Sequence, residues 1–171
     1  MGPDRRPYSD MPAEEVVAIV AQLVGAGVEV WLEGGWGVDA LLGEQTREHD
    51  DLDLVVGLEE VPQLREILGE RGYELRGGAP PTSFELVDSG GRQVDVHPVT
   101  WQANGEGLYL MHDGRTWPYP ARGFRGTGRV LGRRVRCLTP EVQVIAHAGY
   151  ELDETDLADV NALRERFDLR E

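Results

Sequence analysis

Two aspartates one residue apart, Asp51 and Asp53, open an apolar run in this sequence. Alternate residues of a strand project from the same face, so these two carboxylates are expected to lie side by side. Carboxylates held that close in a half-buried place repel one another, and a divalent cation between them relieves the repulsion. Mg²⁺ accepts a few carboxylates together with phosphate oxygens. The aspartate pair therefore predicts a magnesium site.

A pair of glycines, Gly34 and Gly35, lies between the apolar residues 28–32 and a short predicted helix at 36–42. Backbone N–H groups at a glycine turn that enters a helix form a concave site for phosphate oxygens. Because the aspartate pair follows this helix, the turn predicts that the metal site also binds a nucleoside triphosphate.

A third acid, Asp95, lies in a predicted strand at 93–96 that forms an antiparallel hairpin with residues 84–88. Two interpretations are open: a solvated acid on an edge strand, or a carboxylate in the same sheet as Asp51 and Asp53, which a second metal ion would require. His97, two residues further on, is expected to be structural.

Apolar spacing and turn residues predict the elements that must position these groups. The predicted strands lie at 28–32, around the aspartate pair, at 84–88, at 93–96 and at 133–138. The predicted helices are one that Asp10 caps and Gly25 ends, those at 36–42 and 59–71, one that Thr139 caps, and a last one at 156–167 that Thr155 caps.

The order Gly-Gly, Asp-x-Asp and a later Asp resembles the nucleotidyltransferase superfamily. The string GGWGVDALLGEQTREHDDLDL at 34–54 is similar to the small nucleotidyltransferases that inactivate aminoglycosides and lincosamides. Residues 94–98 (VDVHP) and 147–152 (HAGYEL) are more similar to the lincosamide branch. The chain departs from its relatives near Thr155, where they tend to carry a lysine, because it contains no lysine at all.

The resemblance implies a single α/β (α+β) domain over 1–171, with a nucleotidyltransferase-type mixed β-sheet flanked by helices. Residues 1–10 are expected to form a loose leader, and 139–171 a C-terminal helical pair. It also implies a reaction in which a nucleoside monophosphate, AMP from ATP or that of another nucleoside triphosphate, passes to a hydroxyl of an antibiotic-like molecule. Asp51, Asp53 and Asp95 would hold two Mg²⁺ ions, and Asp95 would also take the hydroxyl proton.

Four residues are predicted to meet the nucleotide. Gly34 and Gly35 would bind the β and γ phosphates. Trp36, where many nucleotidyltransferases have a serine, packs inside the protein or flanks the nucleotide. Arg47 reaches a triphosphate oxygen or forms a salt bridge with Asp39. With no lysine available, an arginine must supply any cationic phosphate contact.

The chain has 31 acidic and 17 basic residues, a formal charge of −14. Such a surface repels polyanions, which argues against nucleic acid as a partner, and it either attracts a cationic small molecule or serves solubility alone. Residues 100–132 are predicted to be a long, aromatic-rich loop. Trp101, Tyr109 and Glu106 in this loop form a wall for the acceptor, or the aromatics form a second core.

No apolar run approaches the length of a membrane span, and no signal-peptide pattern opens the chain. The lone Cys137 fits a reducing cytoplasm, where we expect a monomer or a homodimer. Two alternative functions stay open. One is a toxin-like nucleotidyltransferase that acts on a protein or tRNA, and the other is a non-catalytic nucleotide-binding module.

Overall fold

The computed structural model describes residues 10–147 and 152–169. Its α-helices are α1 (Ala13–Gly25), α2 (Gly34–Leu42), α3 (Val61–Glu70), α4 (Pro140–Ala146) and α5 (Glu154–Phe167). Its strands are β1 (Val30–Glu33), β2 (Asp51–Gly57), β3 (Glu74–Gly78), β4 (Phe84–Val87), β5 (Gln93–Trp101), β6 (Gly107–Leu110), β7 (Thr116–Tyr119), β8 (Thr127–Val130) and β9 (Arg133–Arg136). Short 3₁₀ turns span Leu58–Glu60 and Ala121–Arg125.

The main sheet has the strand order β1-β2-β5-β4-β3. β6 pairs with the C-terminal part of β5, and β7 pairs with β6. β2 and β5 are parallel, while β1, β3, β4, β6 and β7 pair antiparallel with their neighbours. The predicted mixed α/β architecture is therefore confirmed. β5 lies between β2 and β4, so the alternative interpretation of Asp95 as a solvated acid on an edge strand is wrong.

Each face of the sheet supports its own hydrophobic core. Leu54, Val94 and Val96 belong to the larger core, to which helices α1, α2 and α3 also contribute. Trp31, Val55 and Val99 project from the other face and pack with residues of β7 and α4. The acidic residues of β2 and β5 share this second face, since they alternate with the residues of the larger core.

The segment 100–132, predicted as a loop, consists largely of β6, β7, β8 and a 3₁₀ turn. Its aromatics pack against one another. Phe124 packs edge-on against Trp31 and Trp101, with ring centroids 5.0 and 4.8 Å apart, and Trp117 packs edge-on against Tyr119 at 4.5 Å. The interpretation that these aromatics form a second core therefore describes most of this segment. The packing of the rings against one another stabilises the short strands that carry them.

Two predicted helix caps are wrong, and a third is right in position only. α1 begins after Pro12, not Asp10. Thr139 is the N-cap residue of α4, with Pro140 following it as predicted, but its side chain makes no capping bond. α5 is capped by Asp153, whose carboxylate accepts from the backbone N–H of Asp156 at 2.7 Å, while the Asp156 carboxylate accepts from the N–H of Asp153 at 3.2 Å. This reciprocal pair satisfies two N–H groups of the first turn, which a threonine hydroxyl at 155 would not do.

Within residues 10–147 and 152–169, no helix combines the length and the apolar character that crossing a bilayer requires.

Candidate active site

A row of four carboxylates crosses the second face of the sheet. Glu33 on β1 is paired with Asp53 on β2, Asp53 with Asp95 on β5, and Asp95 with Glu85 on β4. Directly paired residues of neighbouring strands project from the same face about 5 Å apart, and like charges in that position destabilise the sheet. A row of this kind needs cations to offset its charge.

Asp51, Asp53 and Asp95 converge at the end of this face. One carboxylate oxygen from each lies within 4.8 Å of the others, and all three side chains are half-buried. Burial first, then the charge of Asp53, raises the pKa of Asp95 to about 8. Burial is also the main reason that the pKa of Asp53 is raised to about 6. Three clustered carboxylate oxygens suit a hard divalent cation such as Mg²⁺, which would relieve both shifts.

His97 joins this group, although the sequence indicated only a structural role. Its Nε2 lies 3.2 Å from Oδ1 of Asp53 and 3.8 Å from Oε2 of Glu33. Burial works to lower the pKa of His97, but the nearby carboxylates of Glu33 and Asp53 outweigh it and raise the pKa to about 9. The available signal was the spacing of Asp95 and His97, which places both on one face of β5.

Glu33 was also missed as a site residue. The Tyr119 hydroxyl donates to Oε1 of Glu33 at 2.8 Å, whereas Oε2 is buried and has no hydrogen-bond partner. An unsatisfied buried carboxylate oxygen is costly, so a donor from a ligand would stabilise it. The pairing of Glu33 with Tyr119 spans 86 residues, and no local sequence pattern predicts it.

The glycine pair forms the first residues of α2, directly after Glu33. Gly34 has φ of +63°, and a Cβ there would collide with the carboxylate of Asp53. A Cβ on Gly35 would collide with the His49 ring and would lie 2.6 Å from Nη2 of Arg47. Only glycine therefore lets the backbone of this turn lie so close to Asp53 and Arg47.

Arg47 lies beside the glycine pair, as the nucleotide interpretation requires, but its predicted salt bridge with Asp39 is wrong. Its Nη2 donates to Oδ2 of Asp159 on α5 at 3.0 Å. Asp39 instead contacts His49 at 2.6 Å and accepts two hydrogen bonds from Thr46. Asp159 forms this ion pair from the last helix.

Trp36 is 2% exposed, and its Nε1 donates to the backbone oxygen of Met11 at 3.2 Å. Its ring lies 4.7 Å from that of His49. The packing interpretation describes this residue, and its prediction as a nucleotide contact is wrong because the side chain is enclosed by protein.

Two clefts meet at Asp53 and His97. The first has a volume of about 320 Å³ and is lined by Glu33, Gly34, Asp53, His97, Tyr109, Met111, Trp117, Tyr119, Ala146 and His147. The second has a volume of about 220 Å³ and is lined by Asp53, Gly77, Gly78, Ser83, Phe84, Glu85, Asp95, His97 and His112. Gly34 thus opens onto the first cleft, and Asp95 onto the second.

The three residues predicted to bind the acceptor separate in the structure. Tyr109 lines the first cleft, whereas Trp101 and Glu106 line neither cleft. Trp101 is six residues beyond Asp95 on β5, about 20 Å away at roughly 3.3 Å per residue. It packs on Trp31 and Phe124 there. Glu106 lies in the β5–β6 turn, where the Asn104 side chain binds it. The structure therefore does not bring Trp101 and Glu106 together with Tyr109 along either cleft.

A mixed sheet that presents three convergent carboxylates next to a helix beginning with two glycines is the arrangement of a nucleotidyltransferase. Residues 15–163 match the family described as aminoglycoside-2''-adenylyltransferase, so this chain belongs to that family. The match covers most of the chain, and it includes every carboxylate of the row, both glycines and Asp159.

Characterised relatives agree with this assignment. A lincosamide resistance protein from Staphylococcus haemolyticus is 31% identical over 80% of this chain and 84% of its own length. A 2''-aminoglycoside nucleotidyltransferase from Klebsiella pneumoniae is 30% identical over 84% of this chain and 78% of its own. The crystal structure of the lincosamide antibiotic adenylyltransferase LnuA, bound to lincomycin, superposes with a TM-score of 0.81 at 28% identity. That match covers 91% of this chain and 98% of LnuA. The chain is a nucleotidyltransferase.

Proposed function

We propose that this protein transfers AMP from ATP, with Mg²⁺, to a hydroxyl of a lincosamide or aminoglycoside antibiotic and so inactivates the drug. The observation that carries the proposal is the convergence of Asp51, Asp53 and Asp95 beside the glycine turn of α2. The antibiotic class follows from the relatives, which are lincosamide and aminoglycoside enzymes. A lincosamide is the first choice, since the lincosamide resistance protein is 31% identical over 84% of its own length and LnuA superposes with a TM-score of 0.81.

Each group has a distinct role in this reaction. Asp51, Asp53 and Asp95 would hold two Mg²⁺ ions, which when bound offset the charge on the attacking and leaving oxygens. The N–H groups of the Gly34–Gly35 turn hold phosphate oxygens, and the Arg47 guanidinium offsets their charge. Asp95 accepts the proton of the attacking hydroxyl, because its carboxylate lies on the side of the cluster that opens onto the second cleft.

The two clefts fit the two substrates. In an in-line displacement the attacking oxygen approaches opposite the leaving pyrophosphate. Gly34 lines the first cleft, so the triphosphate lies there, with Tyr109 and Trp117 available to the nucleoside. Asp95 lines the second cleft, so the acceptor hydroxyl enters from that side. Asp53 lies between the two, where the transferred phosphorus must be.

Mass spectrometry tests the proposal by screening lincomycin, clindamycin, tobramycin and kanamycin against ATP, GTP, CTP and UTP. We expect a covalent AMP adduct on at least one antibiotic, together with released pyrophosphate, only when Mg²⁺ is present. Binding of ATP without an adduct on any antibiotic would instead favour the non-catalytic nucleotide-binding module.

We predict that Glu85 helps to hold a cationic acceptor. It is paired with Asp95, lines the second cleft, and its side chain is 43% exposed. Arg76, 3.7 Å away, offsets only part of its charge because that contact is long and solvated. Glu85→Gln should raise KM for tobramycin roughly fivefold, the effect of about 1 kcal/mol at a partly exposed ion pair.

Steady-state kinetics at low and high salt measure this effect. KM for tobramycin should also rise with salt in the wild-type protein, while Glu85→Gln should leave KM for ATP unchanged. Glu74→Gln removes an equal charge from exposed strand β3 outside both clefts and serves as the control. An unchanged KM for tobramycin in Glu85→Gln would show that the acceptor amine is bound elsewhere.

A further inference from the structure

Arg47, the cation beside the Gly34–Gly35 turn, lies in a loop whose backbone is held by contacts on both sides of it. Asp39 on α2 accepts from the backbone N–H of Thr46 at 3.0 Å and from its hydroxyl at 2.6 Å, and it contacts Nε2 of His49 at 2.6 Å. Asp39 and His49 are both buried. The backbone is therefore held on each side of Arg47, which leaves the Arg47 side chain as the remaining degree of freedom.

That side chain is held by the last helix. Nη2 of Arg47 donates to Oδ2 of Asp159 at 3.0 Å, and Nη1 donates to the backbone oxygen of Glu48 at 3.2 Å. Asp159 is 6% exposed, so its carboxylate is buried against this partner. The two residues are 112 positions apart in the chain, and this contact brings α5 to the loop that precedes β2.

The same Nη2 atom of Arg47 lies against Gly35, 2.6 Å from where a Cβ would stand. The ion pair with Asp159 therefore also fixes the position of the guanidinium relative to the glycine turn. A guanidinium has five N–H donors in a fixed plane, and the contacts with Asp159 and Glu48 use only two of them. A single bond to Asp159 can therefore orient the plane toward the α2 N-terminus and leave donors for an anion there.

We propose that Asp159 is a positioning residue for the nucleotide: it holds Arg47 against the Gly34–Gly35 turn, so that α5 sets the affinity for the triphosphate. The inference rests on the proposed function, in which this turn binds the phosphates. The last helix then contributes to substrate binding through an acidic residue, Asp159, which acts on Arg47. The chain has no lysine. The competing view is that the pair only fastens α5 to the rest of the fold.

Calorimetry with the α,β-methylene analogue of ATP and Mg²⁺ separates these views. Asp159→Asn keeps the shape of the side chain but removes its charge, and Arg47→Gln removes the guanidinium. Each change should weaken analogue binding about tenfold. The double variant should bind no more weakly than Arg47→Gln alone, because Asp159 acts only through Arg47. Glu165→Gln, which removes an exposed charge from the same helix, should bind normally.

Two results would overturn the proposal. One is analogue binding within twofold of wild type in a folded Asp159→Asn variant. The other is a further loss when Asp159→Asn is added to Arg47→Gln, since a general structural effect would persist without the arginine. If Asp159→Asn does not fold, Asp159→Glu keeps the charge but displaces it, and an unchanged affinity there overturns the proposal as well. Wild-type protein that binds the analogue but adenylylates no antibiotic would count against the proposed function instead.

Discussion

Asp51→Ala and Asp53→Ala are each expected to reduce AMP transfer at least a hundredfold while the protein stays folded. Each change removes one of three carboxylates that converge within 4.8 Å, so a metal ion loses a ligand. The free energy of unfolding should fall little or even rise, by about 1 kcal/mol, because one repulsive acid leaves the cluster. Mass spectrometry of the antibiotic and thermal unfolding measure the two effects.

Asp50→Ala is the matched control for both variants. Asp50 is the exposed neighbour of the pair, and removing it changes the net charge by the same amount outside the carboxylate cluster. It should transfer AMP at close to the wild-type rate. More than a tenth of wild-type activity in Asp51→Ala or Asp53→Ala, with Mg²⁺ present, would show that the metal assignment is wrong.

Asp95→Asn is expected to lower kcat by a hundredfold or more and to change the affinity for ATP only a few-fold. The asparagine keeps the shape of the side chain and one oxygen, but it loses the charge and the basic lone pair that takes the hydroxyl proton. General base catalysis alone raises a reaction rate by a factor of about 10²–10⁴. Nucleotide binding should persist because Gly34, Gly35, Asp51 and Asp53 do not depend on Asp95.

Single-turnover kinetics together with ATP titration give both quantities for this variant. An outward, purely structural acid would change neither of them, and it would alter stability by at most about 0.5 kcal/mol. Near wild-type transfer in Asp95→Asn would reduce the site to two acids and would favour nucleotide binding without this catalysis.

The local part of the site could be predicted from sequence. The one-residue spacing of Asp51 and Asp53 places both on one face wherever the segment is a strand, and the glycine pair indicates a turn into a helix. The convergence of Asp95 with them depends on the parallel pairing of β2 and β5. That pairing brings together residues more than forty positions apart. The residues alone left open whether Asp95 joins the other two acids, and the family resemblance favoured it.

Contacts made by distant segments could not be predicted. Glu33 bonds to Tyr119 across 86 residues, and Arg47 bonds to Asp159 across 112. Nothing in the spacing of either pair distinguishes its members from other polar residues of the chain. The segment 100–132 was predicted to be a long loop, yet four-residue strands form there, and Phe124 and Tyr119 pack against other aromatic rings of the same core.

The most direct test follows the phosphorus atoms of ATP during the reaction. ATP labelled in its α-phosphate, and separately in its γ-phosphate, is incubated with the protein, Mg²⁺ and lincomycin or tobramycin. We predict that α-label appears on the antibiotic and that γ-label appears only in pyrophosphate. Transfer of γ-label to the antibiotic, or release of α-label as free AMP with neither antibiotic labelled, would contradict nucleotidyl transfer to an antibiotic.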